Sequence, residues 1–120
     1  MRAACHCGAV VLEVTLSDGM NTLRRCDCSF CVMRGAAAVT AHRDNVAIVQ
    51  GAENLQCYQF GTKTARHHFC KTCGIYTHHN RRSNPQEVGI NAACLDGIHL
   101  PDHDPIAWVD GRNHPSDRNP

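Results

Sequence analysis

The stretch Cys26-Asp27-Cys28-Ser29-Phe30-Cys31 places three thiols within six residues, in a C-x-C-x-x-C pattern. Two further clusters flank it: Cys5-His6-Cys7 near the start and Cys70-Lys71-Thr72-Cys73 past the middle. Seven of the nine cysteines lie in these clusters. Thiolates at such spacings are metal ligands. Seven are too many for one tetrahedral zinc and one too few for two closed ones. The arithmetic points to one closed zinc site and one with an open position.

The outer pairs share a feature that the middle cluster lacks. Cys7 is followed by Gly8 and Cys73 by Gly74, whereas Cys31 is followed by Val32. A metal knuckle turns tightly after its second ligand, and glycine permits the positive φ such a turn needs. A β-branched valine resists it. Cys5, Cys7, Cys70 and Cys73 are therefore the expected closed site, tying the N-terminus to a distant hairpin. Metal binding there becomes part of the folding free energy, on the order of 10 kcal/mol for a structural zinc. Cys26, Cys28 and Cys31 are the expected second site, with three protein ligands and an exchangeable fourth position, as catalytic zinc keeps. The blander alternative is that Cys57, Cys94 or a histidine completes this set and both sites are structural. Cys57 and Cys94 read as ordinary buried cysteines.

The remaining composition narrows the function class. The formal net charge is +1, so there is no basic footprint for nonspecific nucleic-acid binding and no acidic tail. No segment approaches the roughly 20 apolar residues of a membrane span. No leader is visible ahead of Cys5, and a cytoplasmic, reducing compartment is expected. Clustered cysteines there are ligands rather than disulfides. An odd cysteine count and two C-x-C pairs also argue against a disulfide framework. Aromatics are only 5%, so part of the stability should come from metal.

The elements that must position these thiols read as short strands. Val10, Leu12, Val14 and Leu16 alternate with Val11, Glu13 and Thr15, which marks a strand with one buried face. Ser17-Asp18-Gly19 is a turn signal. Thr22 to Arg25 leads into the three-cysteine stretch as a second strand. Ala36 to Ala41 is a small-residue strand, and Arg43-Asp44-Asn45 turns the chain into a separate strand, Val46 to Val49. Leu55 to Phe60 and Thr64 to Phe69 flank Gly61-Thr62-Lys63 as a hairpin. Ile75 to His79 and Glu87 to Asn91 are further strands. Ala52 to Gln56 could hold one helical turn, but no stretch shows a helical period over three turns. The expectation is an all-β domain over residues 1–112, followed by a mobile tail over 113–120. Trp108 is the only large anchor of the C-terminal part.

At this point the motifs match a known pattern. Cys5-His6-Cys7-Gly8-Ala9-Val10, the three-cysteine stretch, and His68-Phe69-Cys70-Lys71-Thr72-Cys73-Gly74 resemble the glutathione-dependent formaldehyde-activating enzyme family, which also includes centromere protein V. Asn91 to Asp96 and Asp110-Gly111-Arg112 look like it too. The similarity spans nearly the whole chain. It implies several short coiled antiparallel sheets organised around zinc, like the fold of a small Rab-binding zinc protein. It implies two zincs per chain: a structural one on four cysteines and one on Cys26, Cys28 and Cys31 near where glutathione binds. The implied activity is formation and cleavage of S-(hydroxymethyl)glutathione.

Elementary chemistry agrees with a thiol substrate. Three thiolates leave a zinc site with a net negative charge and blunt it as a Lewis acid. A soft metal that recruits a soft fourth ligand suits a thiol better than water. A zinc-bound thiol loses its proton, and the thiolate is the nucleophile. The expected reaction is carbon–sulfur lyase chemistry on a thiol–aldehyde adduct. The partner is a small thiol such as glutathione, not nucleic acid or membrane, and the chain is a monomer or homodimer. Arg34, directly after the cluster, is the first candidate for the substrate carboxylate. Arg24, Arg25, Lys63, Arg66, His67 and His68 are further basic candidates, each more ordinarily a solvated charge. His78 and His79 could supply an acid or base, but neighbours on a strand cannot both face one site. His6 is expected to point away from the metal. The competing reading is a zinc-stabilised binding module without catalysis.

Overall fold

The structure, a computed structural model, describes residues 1–114; residues 115–120 of the expected tail lie outside the described residues. The chain runs through β1 (Arg2–Ala4), β2 (Val11–Leu16), β3 (Arg25–Cys26), α1 (Ser29–Arg34), β4 (Ala38–Gln50), β5 (Leu55–Tyr58), β6 (Arg66–Cys70), β7 (Tyr76–Asn80), β8 (Glu87–Asn91) and β9 (Trp108–Val109). The all-β expectation is borne out. Seven strands join in one antiparallel sheet, in the order β1-β2-β4-β8-β7-β6-β5. β3 and β9 pair separately, in parallel.

The core is the inner face of this sheet. Val10, Leu12 and Val14 are fully buried, as their alternation requires, and meet Val39, Ala41, Val88 and Ile90 from the two next strands. Glu13 and Thr15 face solvent. The β5–β6 hairpin forms where it was expected, turning at Lys63, which adopts φ 57°.

Three local expectations are corrected. Residues 36–41 and 46–49 do not form two strands; β4 runs unbroken through Arg43-Asp44-Asn45. Its register against β2 jumps between Leu16↔Ala41 and Val14↔Val46, a wide bulge that absorbs the polar residues. Arg43 stays in the ladder by donating its N–H to the Gln86 carbonyl at 2.9 Å. Second, the three-cysteine stretch carries a helix. Cys28 caps α1, its Sγ accepting from the Cys31 N–H at 3.2 Å. Gly35 ends it in the left-handed conformation at φ 69°. Six residues are too few to show a period. Third, Trp108 is no buried anchor. It is 55% exposed, with the Arg25 guanidinium 6.0 Å from its ring centroid. Ile106 is the buried large side chain of that segment among the described residues.

Candidate metal centres and active-site cleft

The first thiol group is built by two matching turns. Gly8, at φ 80°, donates its N–H to the Cys5 carbonyl at 3.1 Å. Gly74, at φ 78°, does the same to the Cys70 carbonyl at 2.8 Å. Each turn aims backbone amides at sulfur: the Val10 N–H reaches Cys5 Sγ at 3.3 Å. Backbone amides of Cys73 and Thr72 help hold the Cys70 thiol down, to about 6. The four sulfurs of Cys5, Cys7, Cys70 and Cys73 lie within 4.8 Å of one another. Cys5–Cys7 and Cys7–Cys70 are both 3.7 Å apart. Zinc–sulfur bonds of about 2.3 Å at tetrahedral angles demand sulfurs about 3.8 Å apart, so the set fits the metal. It does not fit a disulfide, at about 2.05 Å. His6, between two of the ligands, is exposed.

The second group is Cys26, Cys28 and Cys31, again with all sulfurs within 4.8 Å. β3 delivers Cys26, and the first turn of α1 delivers Cys28 and Cys31. Among the described residues no other Cys, His, Asp or Glu atom joins this set. Cys57 is exposed on β5, and the Cys94 thiol donates to the Tyr76 carbonyl at 3.6 Å. Neither completes the trio. Hydrogen bonds from Cys28 first, then Cys31, push the Cys26 thiol far down, while the same contact with Cys26 pushes Cys31 far up. Both cysteine groups could hold metal ions, and their donor chemistry is that of zinc.

These three thiols open onto a cleft with a cavity volume of about 170 Å³. Its walls are unusually basic for a nearly neutral chain: Arg24, Arg34, Arg81 and Arg82 all line it. Arg34 lies deepest. It donates to Cys31 Sγ at 3.4 Å and contacts His67 Nδ1 at 3.1 Å. Its guanidinium carbon sits 3.6 Å from the Tyr76 ring centroid and 4.8 Å from that of Phe30. Its Nε is buried with no hydrogen-bond partner among the described residues. Burial, and next the Arg34 charge, push the His67 pKa down to about 4, so this histidine is neutral.

The floor of the cleft comes from the C-terminal segment. Gly111 is packed against the trio so closely that a Cβ would fall 2.4 Å from Cys26 Sγ. Arg82 donates to the Gly111 carbonyl at 2.8 Å.

The strand alternation sorts the other candidates. His67 and His79 line the cleft and stack at 5.3 Å between centroids. His68 and His78 stack on each other at 4.4 Å, with His68 bonded to Asn80. Arg25 instead contacts the Gly35 carbonyl and the Trp108 ring. Lys63 and Arg66 are exposed outside the cleft. Sequence reasoning passed over Tyr76, Arg81 and Arg82. The one sequence signal for the arginines is a basic pair directly after a strand.

A family model described as glutathione-dependent formaldehyde-activating enzyme matches residues 1–109. The chain belongs to that family. The formaldehyde-activating fold is matched by a solved crystal structure of a Rhodobacter sphaeroides protein, 57% identical, with a TM-score of 0.89. That similarity covers 91% of this chain and 100% of the other. Family membership carries a glutathione-dependent, formaldehyde-activating function in general terms and points to a thiol partner. Among the described residues no helix is long and apolar enough to cross a membrane.

Proposed function

We propose that the chain is a carbon–sulfur lyase that makes and breaks an S-(hydroxymethyl)glutathione-like adduct of a thiol and an aldehyde. One observation carries this reading: a three-thiol group that no fourth protein ligand joins among the described residues opens onto an arginine-lined cleft. We assign the four-cysteine group to structural zinc and the trio to an exchangeable zinc. Zinc on the trio would supply a position at which a thiol substrate sheds its proton and remains reactive.

The side chains then divide the work. Arg34 donates to the Cys31 sulfur and offers its buried Nε toward an anionic substrate group. Arg24, Arg81 and Arg82 add the positive field that carboxylates of a glutathione-like thiol need. Phe60 and Ala65 provide apolar wall on the same cleft, which strengthens each charge interaction by excluding water. Thiols that must stay reduced fit a cytoplasmic setting. Residues 1–112 are read as a single domain.

The test is to add reduced, metal-loaded protein to glutathione and formaldehyde and follow adduct exchange by NMR. Exchange faster than in free solution supports the lyase. Exchange unchanged by protein, with glutathione still bound, would leave a binding module instead.

A further inference from the structure

The cleft holds two polar side chains that the reading above leaves without a role. Tyr76 begins β7 and His79 follows three residues later. In a regular strand, residues an odd number apart face opposite ways. Here the β6–β7 register shifts: His68 faces His78 but Phe69 faces Tyr76, so β7 carries one extra residue at Thr77. That bulge resets the alternation and brings Tyr76 and His79 onto one side. Tyr76 Oη lies 2.6 Å from His79 Nδ1 and 3.4 Å from the Gly89 carbonyl oxygen.

The histidine ring also has a purpose-made seat. His79 faces Gly89 across the β7–β8 ladder. A Cβ on Gly89 would fall 2.2 Å from His79 Cε1 and 2.9 Å from Nε2. Glycine inside a strand weakens it and marks a close approach. Here the approach is the ring itself, laid across β8 into the cleft. Burial keeps both groups uncharged: it holds His79 well below its usual range, and Tyr76 well above its own. The Arg34 guanidinium lies over the tyrosine ring.

We propose that Tyr76 and His79 form a proton relay that serves the aldehyde oxygen of the adduct. This rests on the lyase reading. With the tyrosine hydroxyl donating to Nδ1, the ring proton sits on Nε2. In the forward direction the thiolate sulfur bonds to the carbonyl carbon, and the C=O π pair moves to oxygen. That oxygen takes the Nε2 proton. The Tyr76 proton passes to Nδ1, leaving a phenolate beside Arg34. A solvent proton entering through the cleft then reaches Nε2, and the Nδ1 proton returns to Tyr76, which restores both groups. Cleavage runs the same transfers in reverse, so one pair acts as acid for addition and as base for release.

The experiment compares wild type, Tyr76→Phe and His79→Gln as reduced, metal-loaded full chains in the NMR exchange assay with glutathione and formaldehyde. Each variant is expected to lose about 10²-fold in exchange rate. Glutathione affinity and metal content by native mass spectrometry are expected to stay at wild-type values. Wild type is expected to show a solvent deuterium isotope effect that Tyr76→Phe lacks. Tyr76→Phe removes one oxygen and keeps the ring, so it remains informative should His79→Gln misfold. A Tyr76→Phe protein with the wild-type rate and isotope effect overturns the relay alone. A wild type that does not accelerate exchange overturns the lyase reading, and the relay falls with it.

Discussion

Asp27, between two cysteines of the trio, holds Gly111 in place. Its Oδ1 accepts from the Gly111 N–H at 2.8 Å and from the Arg112 N–H at 3.0 Å. The residue between two metal ligands thereby fixes the chain segment that floors their cleft. The arrangement explains why position 111 is glycine: it has no side chain to push Cys26 and Cys28 apart.

Gly111→Ala should disturb the trio and spare the four-cysteine group. The added Cβ would meet Cys26 Sγ at 2.4 Å and Cys28 Cβ at 2.9 Å, and neither neighbour can yield without moving a ligand. Native mass spectrometry of the reduced proteins should find two zincs per wild-type chain and one per variant chain. Asp27→Ala should weaken retention of the same zinc, because it deprives two backbone donors of a charged acceptor, an interaction worth about 1.5–3 kcal/mol. Two tightly held zincs in both variants would refute the coupling.

The two thiol groups should separate in melting experiments. Cys70 is fully buried and joins β6 to the N-terminal turn, so Cys70→Ser should abolish cooperative folding or lower Tm steeply. Cys28→Ser should leave the melt far less changed while removing the second zinc and glutathione binding. Circular dichroism with temperature distinguishes these outcomes.

Arg34 should matter for binding even when its charge is kept. It donates to Cys31 Sγ, contacts His67 and lies over the Tyr76 ring. A lysine cannot reproduce this planar fork. Arg34→Lys should weaken glutathione binding by about 1.5–3 kcal/mol, roughly tenfold or more in Kd. Calorimetric titration measures it directly.

Acid should destabilise the fold through His78. Burial, and then the neighbouring His68, push its pKa down to about 3. In the unfolded chain a histidine titrates near about 6.5. Between those values the unfolded state binds a proton that the folded state refuses. Stability is therefore full above about pH 6.5 and falls as pH drops toward about 3, by up to about 1.4 kcal/mol per pH unit for this residue. Urea midpoints of wild type and His78→Gln, compared at neutral and mildly acid pH, should show the shallower dependence in the variant.

Much of the framework was legible in the sequence. Glu87–Asn91 reads as a strand and is β8 to the residue. The glycines after Cys7 and Cys73 announced turns with positive φ, and both glycines have it. What escaped has physical reasons. α1 is too short for a period and is capped by a thiol rather than by Ser, Thr, Asp or Asn. Polar residues inside β4 look like a turn because a bulge, invisible without the partner strand, tolerates them. The same holds for Tyr76 and His79, which simple alternation puts on opposite faces. The basic wall of the cleft gathers Arg24, Arg34, Arg81 and Arg82 from separate segments, which only the sheet order brings together.

The four-cysteine group has one more consequence, for the shape of the sheet. Cys5 and Cys7 directly follow β1, one outer strand, while Cys70 ends β6, next to the other outer strand. Laid flat, the five strand spacings between β1 and β6 would span about 24 Å. Their sulfurs nevertheless lie within 4.8 Å. The sheet is therefore rolled, and a metal would act as its clasp, closing a cylinder where barrels use a final row of hydrogen bonds. Without the clasp, the roll can spring open and present two bare rims, each a template for a neighbouring chain. Chelator should thus turn a well-behaved protein into one that self-associates.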